Sequence, residues 1–535
     1  MKQNYFRHIL LCLCLLAGTT TALAATIQID GIYYSISSGV ASASSGRYAT
    51  GEVTIPDSVT CEGVTYPVTS ISDRAFYLNT GMTSIAISAN VEYIGTLSFS
   101  SCRNLASVTF GENAKLKTIG MRAFYGSAIS SITLPGRLET IQASAFASCS
   151  NLTSVYIPVL VRDIDSNPFT GCSNLNSIEV AEGNYNFDSR EGCNAIISKS
   201  SRKLLAGCKN TVIPDGIYSI GNYAFQGCSG LTSIEIPNSL TTIGEGAFQG
   251  CHGLTSVAIP NRVTSIGRYA FEECSSLTSV SIPESVTSIG VSAFIRCSSL
   301  TSIAIPGSVT SIGGSAFSGC TNLSKVTIAS NAVVSGTEYQ KSMIELFGDQ
   351  VKEYVLEEGI TAIGNHAFHA SSGKGSENIT SLTIPEGVVS IGEGAFIQCS
   401  GLTSLVLPNS LTTIARGAFQ RCTGLTSIVL PEGLTSIGSS VFSGCSNLTS
   451  ITIPDGLTDI EYGAFGDAWL NNQPDGVVYA GKMVYAFKGD ERDVVIRDGT
   501  LGIVERAFEH CRGLTSITIP NSLTMIGEGA FYGCI

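Results

Sequence analysis

The residue type with the clearest chemical potential is cysteine, which recurs at a fixed place in the chain. Of 18 cysteines, 13 stand three residues after a recurring phenylalanine. A column of thiols could form disulfides, but stacked coils would point neighbouring sulfurs the same way, which is poor disulfide geometry. Zinc is not favoured either, because no histidine recurs beside the thiols and a CxxC spacing is absent. We therefore interpret these cysteines as small buried hydrophobic residues, and we predict no metal and no other cofactor.

Two other cysteines, Cys193 and Cys208, do not follow this spacing. They flank two short apolar runs that a turn at Ser200 and Ser201 would fold into a hairpin. If the hairpin is symmetric, the two cysteines face each other. Because exported compartments permit disulfides, the sequence predicts a disulfide between Cys193 and Cys208, whereas Cys61 has no evident partner.

Residues that commonly act in catalysis do not form a familiar motif. The histidines after residue 24, at positions 252, 366, 369 and 510, stand apart from nucleophile and metal-protease patterns. The patterns G-x-S-x-G, Walker and H-E-x-x-H are absent. The acidic run from Asp490 to Asp493 lacks the ligand spacing of an EF-hand. The sequence therefore predicts that the chain is not an enzyme, and a hydrolase built into an insert remains a separate hypothesis.

A sequence repeat of 23 residues positions these side chains. Phenylalanines at 225, 248, 271, 294 and 317 mark it, and the unit Leu231–Gly253 reads LTSIEIPNSLTTIGEGAFQGCHG. Thr-Ser-Ile-x-Ile alternates polar and apolar residues, so it predicts a strand that Pro237 ends. The second segment, Leu240–Gly244, returns along the opposite side, and we expect Gly244 to permit the turn that directs Ala-Phe inward. Because one unit cannot bury its apolar face alone, the units should stack, and their strands should form one long parallel β-sheet.

This repeat resembles that of the BspA-like leucine-rich repeat family, whose units run L-T-S-I-x-I-P-x-S-V-T-S-I-G-x-x-A-F-x-x-C. The resemblance extends from about Thr65 to Ile535, and the segment from Ile29, which reads IDGIYY, resembles the family's N-terminal cap. The resemblance implies a repeat solenoid: a right-handed leucine-rich-repeat-like stack with a long parallel β-sheet and an N-terminal β-hairpin cap. It also implies a bacterial surface protein that acts as an adhesin for host matrix proteins or other bacteria.

The N-terminus has the features of a secretory signal. Lys2 and Arg7 precede an apolar run, and Ala22-Leu23-Ala24 is a small-x-small cleavage site, so residues 1–24 are predicted to be a signal peptide. No later stretch has the roughly 18 apolar residues that a membrane-spanning helix needs. Residues 25–67 are predicted to form the cap, and residues 68–535 the solenoid, with inserts near 180–212, 331–358 and 467–498. The predicted location is therefore secreted or at the cell surface.

The charge of the chain limits its partners. Only 13% of the residues are charged, and the formal net charge is -12. Binding to nucleic acid or to anionic lipid is therefore disfavoured. We expect extracellular proteins, from host matrix or bacterial surfaces, as partners, with a glycan-binding accessory role as the alternative.

The outward face of the predicted strands is the first candidate for ligand binding. Serine precedes the first inward residue in 14 coils, and the residue between the two inward positions is mostly small and uncharged. Such a face suits a glycan or an extended peptide, although serine and threonine also suit any exposed strand. Tyr156, Glu179 and Glu235 interrupt the uniform column, and we take them as candidate ligand-binding residues.

The three interruptions of the period are the second candidate. The spacing of repeat phenylalanines rises to 56 residues after Phe169, 51 after Phe317 and 43 after Phe465. Inserts in a solenoid usually map to one rim and often form its binding face. The third insert contains Trp469, the only tryptophan. An exposed Trp469 would be a candidate ligand-binding residue, whereas a buried one would fill the small core of the insert.

Overall fold

The computed structural model describes residues 25–335, 341–369 and 376–535. The predicted signal peptide lies outside the described residues. The chain forms two compact units, one that ends at Leu277 and one that begins at Thr278. Each unit is built of stacked coils joined by parallel strand pairs, as the predicted solenoid requires.

The N-terminal cap is a sheet of three antiparallel strands followed by a hairpin. Its third strand pairs in parallel with Val64–Ile71, which in turn pairs with the first two-residue strand of the coils. Tyr34 is buried in this cap. The predicted β-hairpin cap is thus confirmed, and it merges directly into the solenoid. Its strands are Ala25–Ile29, Ile32–Ser37, Val40–Ser45, Gly51–Ile55, Ser58–Cys61 and Val64–Ile71.

The coils of the first unit carry two series of parallel strands. The Thr-Ser-Ile-x-Ile segment forms the first series, but in the coils at 131–134 and 233–236 the same segment does not form a strand. The second segment of the repeat, predicted only to return along the opposite side, forms a further ladder of two-residue strands. The first series comprises Met82–Ile87, Ser107–Phe110, Ser154–Ile157, Ser177–Val180 and Ser256–Ala258; the second comprises Tyr93–Ile94, Thr118–Ile119, Thr140–Ile141, Asp163–Ile164, Ser219–Ile220, Thr242–Ile243 and Ser265–Ile266.

The second unit repeats the same arrangement. Its first series comprises Ser279–Ser281, Ser302–Ile305, Lys325–Ile328, Glu353–Leu356, Ser381–Thr383, Ser427–Val429, Ser450–Thr452, Asp493–Val495 and Ser516–Thr518. Its second series comprises Ser288–Ile289, Ser311–Ile312, Ala362–Ile363, Ser390–Ile391, Thr413–Ile414, Ser436–Ile437, Asp459–Ile460, Gly502–Ile503 and Met525–Ile526.

The inserts contain the remaining elements. In the first insert they are Phe187–Asp188, the 3-10 turn Arg190–Gly192 and the hairpin Ala195–Ser198 with Lys203–Gly207. In the second they are the helices Asn331–Val334 and Met343–Phe347, and a 3-10 turn, Ser376–Asn378, follows later in the chain. In the third they are the helix Gly466–Asn471 and the hairpin Gly476–Ala480 with Met483–Lys488. Phe347 stacks on Phe317 with ring centroids 5.1 Å apart, so the second insert continues the phenylalanine column.

The phenylalanine column forms the centre of the core. In the first unit, ring centroids lie 5.0 Å apart for Phe225 and Phe248 and 5.2 Å apart for Phe248 and Phe271, with the rings nearly parallel. All three are fully buried. Stacked aromatic pairs contribute about 0.5–1.5 kcal/mol each beyond their burial, so the column ties each coil to the next.

The cysteine column is buried, as interpreted, except at Cys511 and Cys534, which are partly exposed, and it also has a polar role. Cys102, Cys149 and Cys251 lie fully inside, and each sulfur donates to the backbone carbonyl of a phenylalanine 25 or 26 residues earlier, at 3.1–3.2 Å. Burial raises the pKa of the Cys149 thiol to about 12, which keeps it protonated as a donor. Each of these carbonyls already accepts from a backbone N–H three residues later, so the thiol adds a second donor to it and links the coil to an earlier one.

Gly244 is required for a reason other than the turn we expected. Its φ lies outside the left-handed region, and the left-handed residues of this coil are Gly246 and Gly250, with φ +56° and +70°. A Cβ on Gly244 would lie 2.8 Å from the backbone nitrogen of Asn222 and from the carbonyl carbon of Gly221. Glycine at this position therefore allows close contact between successive coils.

Candidate functional site

Two of the predicted site residues lie side by side next to the first insert. The parallel strands Ser154–Ile157 and Ser177–Val180 pair in register, and this register places Tyr156 directly opposite Glu179. Both side chains point outward, and Tyr156 is 51% exposed. Because paired parallel strands are about 4.8 Å apart, the phenol ring and the carboxylate are neighbours on one surface.

The turns that follow these two strands add three exposed apolar side chains. Val159 and Leu160 are 45% and 53% exposed, and Tyr185, at the start of the first insert, is 91% exposed. In regular coils the turn holds polar pairs such as Asn238-Ser239. We refer to Tyr156, Val159, Leu160 and Tyr185 as the exposed cluster.

Asn184 holds the exposed cluster in place. Its side chain is fully buried, and its Nδ2 donates to the carbonyls of Pro158 and Val161 at 3.0 and 2.9 Å. Its Oδ1 accepts from the backbone N–H groups of Asn186 and Phe187 at 3.0 and 2.9 Å. One side chain thus fixes the turn that carries Val159 and Leu160 to the segment that carries Tyr185.

Sequence reasoning did not find Asn184. The available signal was an asparagine at the point where the period breaks, flanked by Gly183 and Tyr185. Asn79 makes an equivalent set of four hydrogen bonds, to Gly46, Ala49, Gly81 and Met82, where the cap meets the coils. A buried asparagine with all its bonds satisfied therefore marks two places where this chain departs from its repeat.

A concavity of about 540 Å³ opens beside the strand Ser177–Val180. Glu179, Glu182 and Asp188 line it together with Arg190 and Lys199. Arg190 donates two hydrogen bonds to the Asp188 carboxylate, from Nε to Oδ1 at 3.0 Å and from Nη2 to Oδ2 at 2.6 Å. This contact raises the pKa of the Arg190 guanidinium. Lys199 Nζ donates to the backbone carbonyl of Asn184 at 2.5 Å. Both cations are thus engaged, whereas Glu179 and Glu182 form no ion pair within the described part of the chain.

The third predicted residue of this face, Glu235, does not join the pair. It is exposed, but its segment is not in a paired strand, and the residues of the first insert separate it in the chain from Glu179. The structure therefore brings together Tyr156 and Glu179 and leaves Glu235 apart.

Trp469 is not an exposed ligand-binding residue. It is only 3% exposed, and its ring centroid lies 5.0 Å from that of Phe465 and 5.5 Å from that of Tyr485. The alternative interpretation is therefore correct, since the indole fills the core of the third insert.

Because Trp469 is buried, we predict that its fluorescence is protected from quenching in the folded chain. Because it is the only tryptophan, acrylamide should quench the emission of the folded chain several-fold less than that of the urea-unfolded chain. Equal quenching constants in the two states would contradict the burial of the indole.

Cys193 and Cys208 are both free thiols in the structure. The predicted hairpin forms, but a bulge between Ile196 and Ile197 shifts its register by one residue. Ala195 therefore pairs with Gly207, and Cys208 comes opposite Asn194, to whose carbonyl its sulfur donates at 3.4 Å. The assumption of a symmetric hairpin was wrong, and the predicted disulfide is not formed.

Within residues 25–335, 341–369 and 376–535, no group of three or more His, Cys, Asp or Glu side chains is arranged to hold a metal ion. His366 and His369 lie near each other, with ring centroids 5.9 Å apart. None of the described helices is both long and apolar enough to cross a membrane.

Comparison with known proteins identifies a matching family model, described as BspA type leucine rich repeat region. It matches residues 69–193, 196–324, 247–374, 372–473 and 483–535. None of the curated proteins is significantly similar to the chain.

Several solved structures are similar to this chain. A leucine-rich repeat protein from Bacteroides ovatus is 25% identical, with 82% of this chain and 99% of that one covered and a TM-score of 0.48. The pneumococcal vaccine antigen PcpA is 21% identical, with coverages of 69% and 94% and a TM-score of 0.47. A leucine rich cell surface protein from Faecalibacterium prausnitzii is 26% identical, with coverages of 83% and 92% and a TM-score of 0.25.

Proposed function

The chain belongs to the family of proteins with a BspA-type leucine-rich repeat region, and on that premise we propose that it binds other proteins outside the cell through the exposed cluster. Proteins of this repeat class mediate protein–protein interactions, and rigid solenoids present extended binding surfaces. We propose further that the chain is exported through its N-terminal signal and acts at the cell surface or after secretion, as an adhesin rather than as an enzyme.

The observation that carries this proposal is the exposed cluster itself. Four apolar side chains, two of them tyrosines, lie exposed in adjoining coils where most neighbouring turns are polar. Tyrosine is enriched among the residues that dominate binding energy at protein interfaces. Exposed apolar residues that cluster around a fixed turn, rather than scatter singly, are typical of an interaction surface.

The predicted effect of removing the exposed cluster is a loss of protein binding. A variant with Tyr156→Ala, Leu160→Ala and Tyr185→Ala should bind its protein partner at least tenfold more weakly, because truncating interface anchors costs about 2 kcal/mol or more each. We expect surface plasmon resonance against a panel of extracellular matrix proteins and fixed bacterial cells to show saturable binding of the unmodified chain and its loss in this variant.

A matched control separates this surface from general apolar exposure. Val406, Val429 and Val495 are also exposed, but they lie in the second unit, so the triple alanine variant there should bind like the unmodified chain. Equal losses in both variants, or no saturable binding to any member of the panel, would contradict the proposal.

Glycan binding remains the second candidate function, and one observation favours it. In the second unit Ser404, Ser427 and Ser450 are exposed beside Val406, Val429 and Thr452, with no charged side chain among these six positions. An uncharged hydroxyl face of this kind suits a neutral polysaccharide. Neutral polysaccharides, measured by surface plasmon resonance beside the protein panel, test this candidate, and it fails if none of them binds.

A further inference from the structure

We infer that the partner inserts an arginine side chain, flanked by apolar residues, into the concavity beside Glu179 and Glu182. This inference rests on the proposed function, because it names the chemistry that the same surface recognises.

The concavity has more carboxylates than cations, because Glu179, Glu182 and Asp188 line it with Arg190 and Lys199. Glu179 and Glu182 are exposed and form no ion pair among the described residues. Arg190 pairs with Asp188, so Lys199, which donates to the neutral carbonyl of Asn184, is the one cation of the lining that offsets these two carboxylates. An incoming anion would meet two carboxylates, whereas an incoming cation would be attracted to both. The site is therefore complementary to a positively charged side chain.

Tyr156 makes an arginine a better match than a lysine. The strand register places its half-exposed ring directly beside Glu179. A guanidinium held by the Glu179 carboxylate can stack against this ring, and a planar guanidinium gains both from stacking and from paired hydrogen bonds. An ammonium group also gains from the ring, but it cannot form the planar two-point contact with a carboxylate.

The remaining members of the exposed cluster define what should flank the arginine. Val159 lies against Gly183, because a Cβ there would be 3.8 Å from Val159 Cγ2. Gly183 follows Glu182 in the lining of the concavity. Val159 therefore borders the acidic concavity directly, and Leu160 follows it in the same turn. A partner segment that places apolar residues next to an arginine would cover both at once.

The experiment uses synthetic peptides as probes of this chemistry. A fluorescein-labelled peptide of alternating leucine and arginine should bind the exported chain, and its counterpart with lysine should bind more weakly. A peptide of alternating leucine and glutamate should not bind. In fluorescence anisotropy, the variant with Glu179→Gln and Glu182→Gln should bind the arginine peptide at least about tenfold more weakly, with a smaller dependence on salt.

A second variant controls for the charge of the whole chain, which is -12. Glu358→Gln with Glu432→Gln removes two exposed carboxylates from the second unit and changes the net charge by the same amount. This variant should bind the arginine peptide like the unmodified chain. Equal weakening in both variants, equal binding of the arginine and glutamate peptides, or no weakening on Glu179→Gln with Glu182→Gln, would overturn the inference.

The outcomes separate this inference from the proposed function. If the exposed-cluster variant loses matrix binding while the Glu179→Gln and Glu182→Gln variant retains it, the surface binds protein but not through a cation, and only the inference is wrong. If the exposed-cluster variant retains matrix binding, the proposed function is itself wrong.

Discussion

Replacing Phe248 with alanine is expected to destabilise its coil by about 3–5 kcal/mol, the usual cost of removing a fully buried phenylalanine. The ring lies between Phe225 and Phe271, with centroids 5.0 and 5.2 Å away, and it is fully buried. The Phe248 carbonyl also accepts from Cys274 Sγ at 3.2 Å, so a shift of this coil disturbs the next. Alanine would leave a cavity that breaks the continuous column.

The effect of Phe248→Ala should be local, because each coil of a solenoid contacts mainly its neighbours. Native-state hydrogen exchange should show lost protection of amides in the coils around residues 225–271, with little change in the cap. Phe248→Leu, which keeps most of the apolar volume, should cost clearly less. Gln249→Ala, at a neighbouring and partly exposed position, is the control. If Phe248→Ala lowers the hydrogen-exchange protection no more than Gln249→Ala does, the phenylalanine column does not hold the coils together.

Much of the fold could be predicted from the sequence because the same packing problem is solved again in each coil. The period of 23 residues, the buried phenylalanine and cysteine positions and the parallel strands all follow from repetition. Details that depend on contacts between coils could not be predicted. Residue 244 must be glycine because the backbone of the preceding coil lies close to it. The hydrogen bonds of the thiols depend on carbonyls that lie 25 or 26 residues earlier in the chain.

The candidate site was predictable only where it follows the repeat. Tyr156 and Glu179 occupy the same place in successive coils, so their adjacency follows from the register. Tyr185 lies where the period breaks, and no repeated position predicts its exposure. Val159 and Leu160 carried a usable signal, an apolar pair in a turn that is mostly polar elsewhere. The predicted disulfide between Cys193 and Cys208 was wrong because a single bulge, which the sequence does not reveal, shifts the hairpin register by one residue.

Asn184→Ala is expected to destabilise the first unit by about 3–5 kcal/mol and to weaken partner binding at least tenfold. The substitution removes the Asn184 bonds of the Val161 carbonyl and of two backbone N–H groups, while the Pro158 carbonyl keeps the N–H of Val161. Each such group costs about 1–3 kcal/mol when water cannot replace the bond. Urea unfolding followed by circular dichroism measures the first effect, and binding at a temperature where the variant stays folded measures the second.

Asn79→Ala separates the two effects of Asn184→Ala. Asn79 is equally buried and makes four equivalent hydrogen bonds at the cap, away from the exposed cluster. Asn79→Ala should therefore reduce stability by a similar amount while the folded protein keeps its full affinity.

Asn184→Asp should not rescue binding, because a carboxylate retains the acceptor but cannot donate to Pro158 and Val161, and its charge would be buried. Binding that survives Asn184→Ala would show that the turn after Ile157 holds its position without this side chain. Binding lost equally in Asn79→Ala would show that affinity follows the stability of the unit rather than the position of Val159, Leu160 and Tyr185.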